Sequence, residues 1–398
     1  MEISAELTTG CRDIEVRDPT DRETWRRGDG RAHCVSFSCF VACSLLLAFG
    51  LFASPLQASE NSSQGKSGSE IPSKIGAKVK FSFGYDNNVS ERKEDQIESR
   101  FFQFYVNSGM CVSPYERTLL SLKLQDGLKY LDAPSLSDES VLINSLNLRL
   151  SHRISERLVP ELQSEIRGRT SIHSDSGVSP SEEAYLRGSA GMALRTAILS
   201  DVIGRPFWHY RFTNFEDFDP FDRRGPLMGL RADVRLLPGS TVSVQYSREK
   251  TLYSKWDPVS SDTRIDRMDD ISIFAQFFQY FLFDITYSHQ SNESDVDGYS
   301  YRANRISLLM ARSFPRGIMF QLYALIRSKK YQSSSDESDS AQLDLEDDER
   351  GILTVKVSKD ISRGTALEAQ YDLRRARTHE EKGLYTKSVF SLSLSFNL

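Results

Sequence analysis

The chain has 398 residues, a formal net charge of -5 and 26% charged residues. The acidic balance excludes nucleic-acid binding by bulk charge. A single apolar run approaches spanning length, which excludes a polytopic helical membrane protein. A mean hydropathy of -0.42 leaves a membrane β-barrel open, because barrel strands spend half their residues on lipid and their loops are polar.

The apolar run is Val35–Ala58, VSFSCFVACSLLLAFGLFASPLQA, preceded by Arg22, Arg26, Arg27 and Arg31. Basic residues, an apolar stretch and a small-residue ending are the features of a secretory signal peptide. Residues 1–58 are therefore expected to be a signal peptide with an extended basic n-region. Cys11, Cys34, Cys39 and Cys43 lie in or before this run, so the mature chain keeps only Cys111 and has no Cys-based metal site. Residues 59–73, rich in Ser and Gly, read as a flexible leader. Residues 74–398 carry the body of the protein.

From there, alternation at period two dominates, which places successive side chains on opposite faces of strands. The first segment sets Val79, Phe81, Phe83 and Tyr85 against Lys78, Lys80, Ser82 and Gly84. The second sets Phe102, Phe104 and Val106 against Gln103, Tyr105 and Asn107. The third and fourth set Leu120, Leu122 and Leu124 against Ser121, Lys123 and Gln125, and Leu146, Leu148 and Leu150 against Ser145, Asn147 and Arg149. Further strands are predicted near Glu156–Arg169, Tyr185–Ala197, Pro206–Phe215, Leu227–Leu236, Thr241–Lys250, Asp270–Phe278 and Phe281–His289. The remainder fall near Tyr299–Ala311, Ile318–Arg327, Ile352–Ser358, Thr365–Arg374 and Tyr385–Leu398. The parity of Tyr299–Ala311 is ambiguous and predicts a bulge there. The total is about sixteen strands, each near the ~10 residues that a tilted membrane strand needs.

The connections alternate long and short. Long polar ones include NNVSERKEDQIE, SIHSDSGVSPSEE, NFEDFDPFDRRG and YQSSSDESDSAQLDLEDDE; short ones include VSPYE, LLPGS, FQYF and SFPRG. A soluble sandwich has no reason to sort its loops by length, whereas membrane barrels have long extracellular loops and short periplasmic turns. The fold class expected is therefore all-β, a transmembrane antiparallel up-and-down barrel. An even strand count puts both mature termini on the short-turn, periplasmic side, as a secreted amino end also requires.

The carboxy-terminal stretch SVFSLSLSFNL places Phe390, Leu392, Leu394, Phe396 and Leu398 on one face and Ser391, Ser393, Ser395 and Asn397 on the other. It resembles the terminal strand signature of Gram-negative outer-membrane β-barrel proteins, although that family often ends in Phe or Trp. FGYDNNV (Phe83–Val89) and SRGTALEAQYDL resemble strands of porin-like barrels associated with exopolysaccharide export. The resemblance implies an outer-membrane location, surrounding lipid, and assembly by the barrel assembly machinery.

Parity assigns the lumen its charges. The basic set is Lys78, Lys80, Lys123, Arg149, Arg167, Arg169, Arg187, Arg195, Arg211, Arg231, Arg235, Arg327 and Lys356. The acidic set is Glu161, Glu165, Asp233, Asp284, Glu368 and Asp372. Cations dominate although the whole chain is acidic, and rings of Arg and Lys favour anions. The expected function is a porin-like channel for polar, anionic solutes, acidic polysaccharide among them. The alternative is a non-conducting structural or surface-interaction barrel, in which Arg and Glu pair across strands such as PELQSEIRGR and LRGSAGMALR.

No enzyme is expected. His152, His173, His209, His289 and His379 are scattered, and no HExxH or GxSxG frame appears. Asp217, Asp219 and Asp222 lack an EF-hand spacing and read as a solvated acidic loop, so neither a metal nor a cofactor is expected. Trp208, Tyr210, Tyr246, Tyr280 and Phe281, near strand ends, have the placement of an interfacial aromatic girdle.

Overall fold

The computed structural model describes residues 73–89, 96–132, 140–172, 184–215, 222–253, 263–332, 349–377 and 384–398. The expected signal peptide, most of the leader, Asp217, Asp219, His173, His379 and the acidic stretch near residue 340 lie outside them.

Sixteen strands follow one another in chain order. They are β1 (Ser73–Asp86), β2 (Ser99–Tyr115), β3 (Thr118–Asp132), β4 (Ser140–His152), β5 (Leu158–Ile172), β6 (Tyr185–Leu199), β7 (Val202–Phe215) and β8 (Arg223–Leu237). Then come β9 (Ser240–Tyr253), β10 (Arg264–Phe278), β11 (Leu282–Ser294), β12 (Tyr301–Phe314), β13 (Ile318–Tyr331), β14 (Glu349–Ser362), β15 (Thr365–Arg377) and β16 (Leu384–Asn397). Each pairs antiparallel with its chain neighbours, and β1 pairs with β16, so the sheet closes into a barrel.

Closure is what the terminal alternation provides. Val79, Phe81 and Phe83 of β1 lie opposite Val106, Phe104 and Phe102 of β2, and opposite Phe396, Leu394 and Leu392 of β16. The rings of Phe81 and Phe104 stand 5.1 Å apart, those of Phe83 and Phe102 5.2 Å, and those of Phe81 and Phe396 6.3 Å. Such pairs contribute about 0.5–1.5 kcal/mol each beyond simple burial. At the foot of the seam the Leu398 amide donates to the Ala77 carbonyl at 2.8 Å and the Ala77 amide to the Leu398 carbonyl at 3.3 Å. Near its top Asp86, fully buried, takes an ion pair from Lys387 at 3.1 Å.

The apolar face of every strand points outward. Phe83, Leu162, Leu230, Ile271, Ile326 and Leu392 are all exposed. Their polar neighbours in sequence, among them Ser82, Glu161, Ser272 and Ser393, are buried on the opposite, inward face. A soluble barrel of this size would place these faces the other way; an exterior of contiguous large apolar side chains needs hydrocarbon around it. The short turns hold residues in the left-handed region where only glycine is comfortable: Gly239 has φ +82 and Gly364 φ +86.

Two readings of the sequence change. First, β12 carries no bulge: its register runs unbroken against both β11 and β13. The parity looked ambiguous because Ala303, Leu309 and Ala311 face inward while Ile306, Leu308 and Met310 face outward. Register shifts occur instead beside short turns, between Val112 and Tyr115, Ala197 and Leu199, Arg235 and Leu237, and Asp360 and Ser362. Second, several strands run further toward the long loops than alternation predicts. β8 begins at Arg223, β10 at Arg264, and β11 continues to Ser294. These added residues are mostly polar on both faces, because they rise beyond the apolar band.

A carboxyl group interrupts the apolar band on β3. Asp126 of β3 sits directly opposite Asn144 of β4 on the outward face, between Leu124 and Leu128. Both side-chain amide atoms of Asn144 lack a hydrogen-bond partner among the described residues. A carboxyl group at this place opposes insertion. Asp126→Leu is expected to raise the stability of the refolded barrel in lipid vesicles by about 1–2 kcal/mol, and Leu392→Arg to lower it by about 2–4 kcal/mol. Denaturant titration followed by tryptophan fluorescence measures both; an Asp126→Leu barrel less stable than the parent would contradict the outward assignment of β3.

Candidate functional site: the lumen wall

Cross-strand register sets the charged residues that parity assigned to the lumen on the sheet face opposite the exposed apolar rows. Lys78 and Lys80 stand on β1, Lys123 on β3, Arg149 on β4, and Glu161, Glu165, Arg167 and Arg169 on β5. Arg187 and Arg195 come from β6, Arg211 from β7, and Arg231, Asp233 and Arg235 from β8. Asp284 belongs to β11, Arg327 to β13, Lys356 to β14, and Glu368 and Asp372 to β15. The cations occupy all depths. Arg149, Arg195 and Arg235 lie toward the short turns, Lys123 and Arg231 near mid-height, and Arg167, Arg187, Arg211 and Arg327 toward the long loops.

The acids gather some of these cations into knots. Glu161 accepts from Arg149 Nη2 at 2.8 Å and from Arg205 Nη2 at 2.6 Å. Glu368 is ringed by Lys80 at 2.9 Å, Lys78 at 3.0 Å and Lys356 at 3.2 Å. Asp233 accepts from Arg231 Nε at 2.6 Å and from the Ser243 hydroxyl. Asp372 takes hydrogen bonds from Thr354 and Gln370 rather than from a cation. Arg211 reaches Glu249 at 3.2 Å. Ion pairs between β5 and β6 do not form as the sequence suggested: Glu161 lies opposite Ala193 and Glu165 opposite Ser189.

Like charges, by contrast, face one another. Arg167 is directly opposite Arg187, Arg205 opposite Arg231, and Arg305 opposite Arg327. Residues so paired have Cβ atoms about 5 Å apart, and like charges there are destabilising. In water-like screening the repulsion is about 1 kcal/mol per pair, and it grows as the local dielectric falls. Arg167, Arg187 and Arg305 have no acidic partner among the described residues. The wall thus holds a positive potential that its own acids leave uncancelled.

Near the long-loop end, aromatic rings join the cations. The Arg264 guanidinium lies 4.0 Å from the Tyr299 ring centre and 4.6 Å from that of Tyr253, and forms a fork with Asp266. Lys329 lies 4.0 Å from the Tyr301 ring centre and 4.7 Å from that of Tyr331. Arg187 stands over Tyr185 at 5.5 Å. These groups border a hollow of about 600 Å³, and a second hollow of about 560 Å³ lies lower, beside Lys123, Arg149, Arg205, His209 and Arg231.

Several of these residues escaped sequence reasoning. Arg205 precedes the predicted start of its strand at Pro206. Arg305 was lost to the bulge expected in β12. Arg264 and Asp266 lie where charges of both signs on both faces hide the alternation. The signal for Arg305 was present: an unbroken register from Ile318–Arg327 would have placed it opposite Arg327. Among the described residues no set of His, Cys, Asp and Glu gathers in a metal-binding geometry.

No protein-family model matches the chain, and no curated protein matches it. Solved structures do. CdiB from Acinetobacter baumannii is 10% identical, with a TM-score of 0.47, over 81% of this chain and 60% of that one. The chain therefore spans about 60% of the length of that structure. OccD3 (OpdP) from Pseudomonas aeruginosa is 7% identical, with a TM-score of 0.41, over 81% of this chain and 91% of the other. An anion-selective porin from Comamonas acidovorans is 12% identical, with a TM-score of 0.40, over 83% of this chain and 100% of its own.

Removing an acid from a knot strands its cations. Glu161→Gln, which leaves Arg149 and Arg205 without their shared carboxylate, is expected to lower stability by about 1–3 kcal/mol, the smaller part of the buried-pair range because Arg149 is half exposed. Denaturant titration of the refolded variant measures it, and an unchanged midpoint would show that water replaces the carboxylate at no cost.

Proposed function

We propose that this chain is an outer-membrane channel that passes polar, preferentially anionic solutes, with its long loops outside the cell and both mature termini in the periplasm. The observation that carries this reading is the set of directly opposed arginines, Arg167 with Arg187, Arg205 with Arg231, and Arg305 with Arg327. A wall built only to be filled would alternate signs across strands, since opposite charges stabilise a sheet and like charges oppose it. Cations at all depths, set in a low-dielectric wall, instead form a continuous path of positive potential. Arg suits carboxylate and phosphate groups because its planar fork can meet two oxygens at once.

Acidic saccharide is the solute class we favour. A sugar ring offers an apolar face to an aromatic ring while its carboxylate seeks Arg. Tyr253, Tyr299, Tyr301 and Tyr331, beside Arg264 and Lys329, supply both at the long-loop end. Surrounding lipid, and the barrel assembly machinery acting on β16, are the partners this reading requires.

A second reading draws on the Glu161 and Glu368 knots, which consume five cations of the wall between them: Arg149, Arg205, Lys78, Lys80 and Lys356. In that reading the lumen is a filled structural interior, the barrel does not conduct, and it serves as a surface-interaction module.

Planar-bilayer recording separates the two. In a KCl gradient the protein is expected to conduct, with a reversal potential of the sign set by chloride. The double variant Arg205→Gln/Arg231→Gln is expected to lower the chloride-to-potassium permeability ratio by about threefold, an order-of-magnitude figure for removing two charges from the wall. Zero conductance supports the structural reading; a cation-selective reversal potential removes the anion channel.

A further inference from the structure

The outer wall of β9 to β13 carries charge that the channel does not use. Along the outward face of β9 the residues run Val242, Val244, Tyr246, Arg248, Lys250 from short turn to long loop. On β12 they run Met310, Leu308, Ile306, Asn304, Arg302, and on β13 Leu322, Ala324, Ile326, Ser328, Lys330. Each column passes from apolar to polar to cationic in the same direction. Tyr246 and Tyr287 mark the change of medium. Both are exposed, and their hydroxyls donate to Asp269 at 2.6 Å and to Asn304 at 3.1 Å. Tyrosine at the edge of an apolar band, with its hydroxyl turned to polar groups, sits at headgroup depth.

The cations stand one or two alternations beyond that depth. Lys250 of β9 is directly opposite Arg267 of β10, and Arg302 of β12 is directly opposite Lys330 of β13. All four are exposed, and none has an ion pair among the described residues. Glu293 lies opposite Arg267 without closing a bridge to it, and Asp269 is already held by Arg248 at 3.6 Å and by Tyr246. Two like-charged pairs on one face disfavour the sheet unless an anion lies between them. Outward cations toward the long-loop end of other strands have no cation opposite them: Arg100 of β2 faces Tyr85 and Asp132, Arg224 of β8 faces Phe212 and Leu252, and Arg375 of β15 faces Gly351 and Thr386. At the loop end of β4, β6 and β7 the outward residues are Leu142, Leu186 and Asn214.

We infer that this stretch of the outer wall binds the phosphate groups of a phosphorylated glycolipid in the surrounding outer leaflet. At that depth, on an outward face, the anion within reach is a lipid headgroup, and clustered Lys and Arg beside a membrane edge attract anionic lipid at about 1 kcal/mol per side chain. The inference rests on the outer-membrane orientation proposed above, but not on conduction.

The test uses the full chain refolded in detergent, with bis-phosphorylated lipid A and its dephosphorylated form as probes, and native mass spectrometry as the readout. The parent protein is expected to bind the phosphorylated probe at least about tenfold more tightly. The variant Lys250→Gln/Arg267→Gln/Arg302→Gln/Lys330→Gln is expected to lose that preference while bilayer conductance is unchanged. Arg100→Gln, on the far wall, is expected to keep it. Equal binding of the two probes by the parent protein overturns the inference and needs no variant to fold. Release of the lipid by millimolar inorganic phosphate would reassign the patch to a free anion. Self-association abolished by the quadruple variant, with no lipid preference, would reassign it to a second copy of the chain; either result also overturns the inference. A barrel that binds the lipid but does not conduct would sink the channel proposal and leave this one standing.

Discussion

Everything in this molecule follows from one constraint. Hydrocarbon offers no hydrogen bonds, so each backbone N–H and C=O inside it must find a partner within the protein. A sheet meets that demand only if it has no edge. The pairing of β1 with β16 is therefore the contact on which the remaining hairpins depend, and it joins the two most distant parts of the described chain. The Phe81, Phe104 and Phe396 cluster lies on the outside of that seam, and the Glu368 knot on the inside ties Lys78 and Lys80 of β1 to β15 across the intervening β16. Closure is thus reinforced by dispersion on one face and by charge on the other.

Once the ring is closed, parity divides the labour. A register slip of a single residue would turn every Phe and Leu of a strand inward and every Lys and Arg into lipid. That penalty is why the alternation is so regular over the apolar band and so loose beyond it. It also explains what could be read from the sequence. Where one face had to be greasy, as in Val79 to Tyr85 or Phe390 to Leu398, period two gave both the strand and the direction of each side chain. Where β10 rises past the band as Arg264 to Asp269, nothing forces alternation, and the strand could not be seen.

Register and reach were the second thing hidden. Glu161 finds Arg205 across β6, and Glu368 finds Lys356 beside it and the lysines of β1 beyond it; neither choice is encoded in local spacing. The cross-strand alignments that oppose Arg167 to Arg187 and Arg305 to Arg327 depend on the offset between neighbouring strands, which the turns set. Asp126 shows the same limit from the other side. It occupies a position that alternation reserves for an apolar residue, and only the pairing with Asn144 reveals that two polar groups meet there.

The distribution of charge then separates cost from use. An acidic protein could have placed its carboxylates opposite its arginines and left both walls neutral. Instead the long loops are rich in acid, while cations accumulate in two places where they repel one another: along the lumen and along the outward rim of β9 to β13. In both, like charges stand directly opposite one another, at Arg305 and Arg327 inside and at Arg302 and Lys330 outside. These two pairs lie on the same two strands, β12 and β13, one facing the lumen and the other facing lipid. Each pair weakens the hairpin that carries it. On the function proposed above an anionic solute would meet the inner pair, and on the inference drawn above a lipid headgroup would meet the outer one.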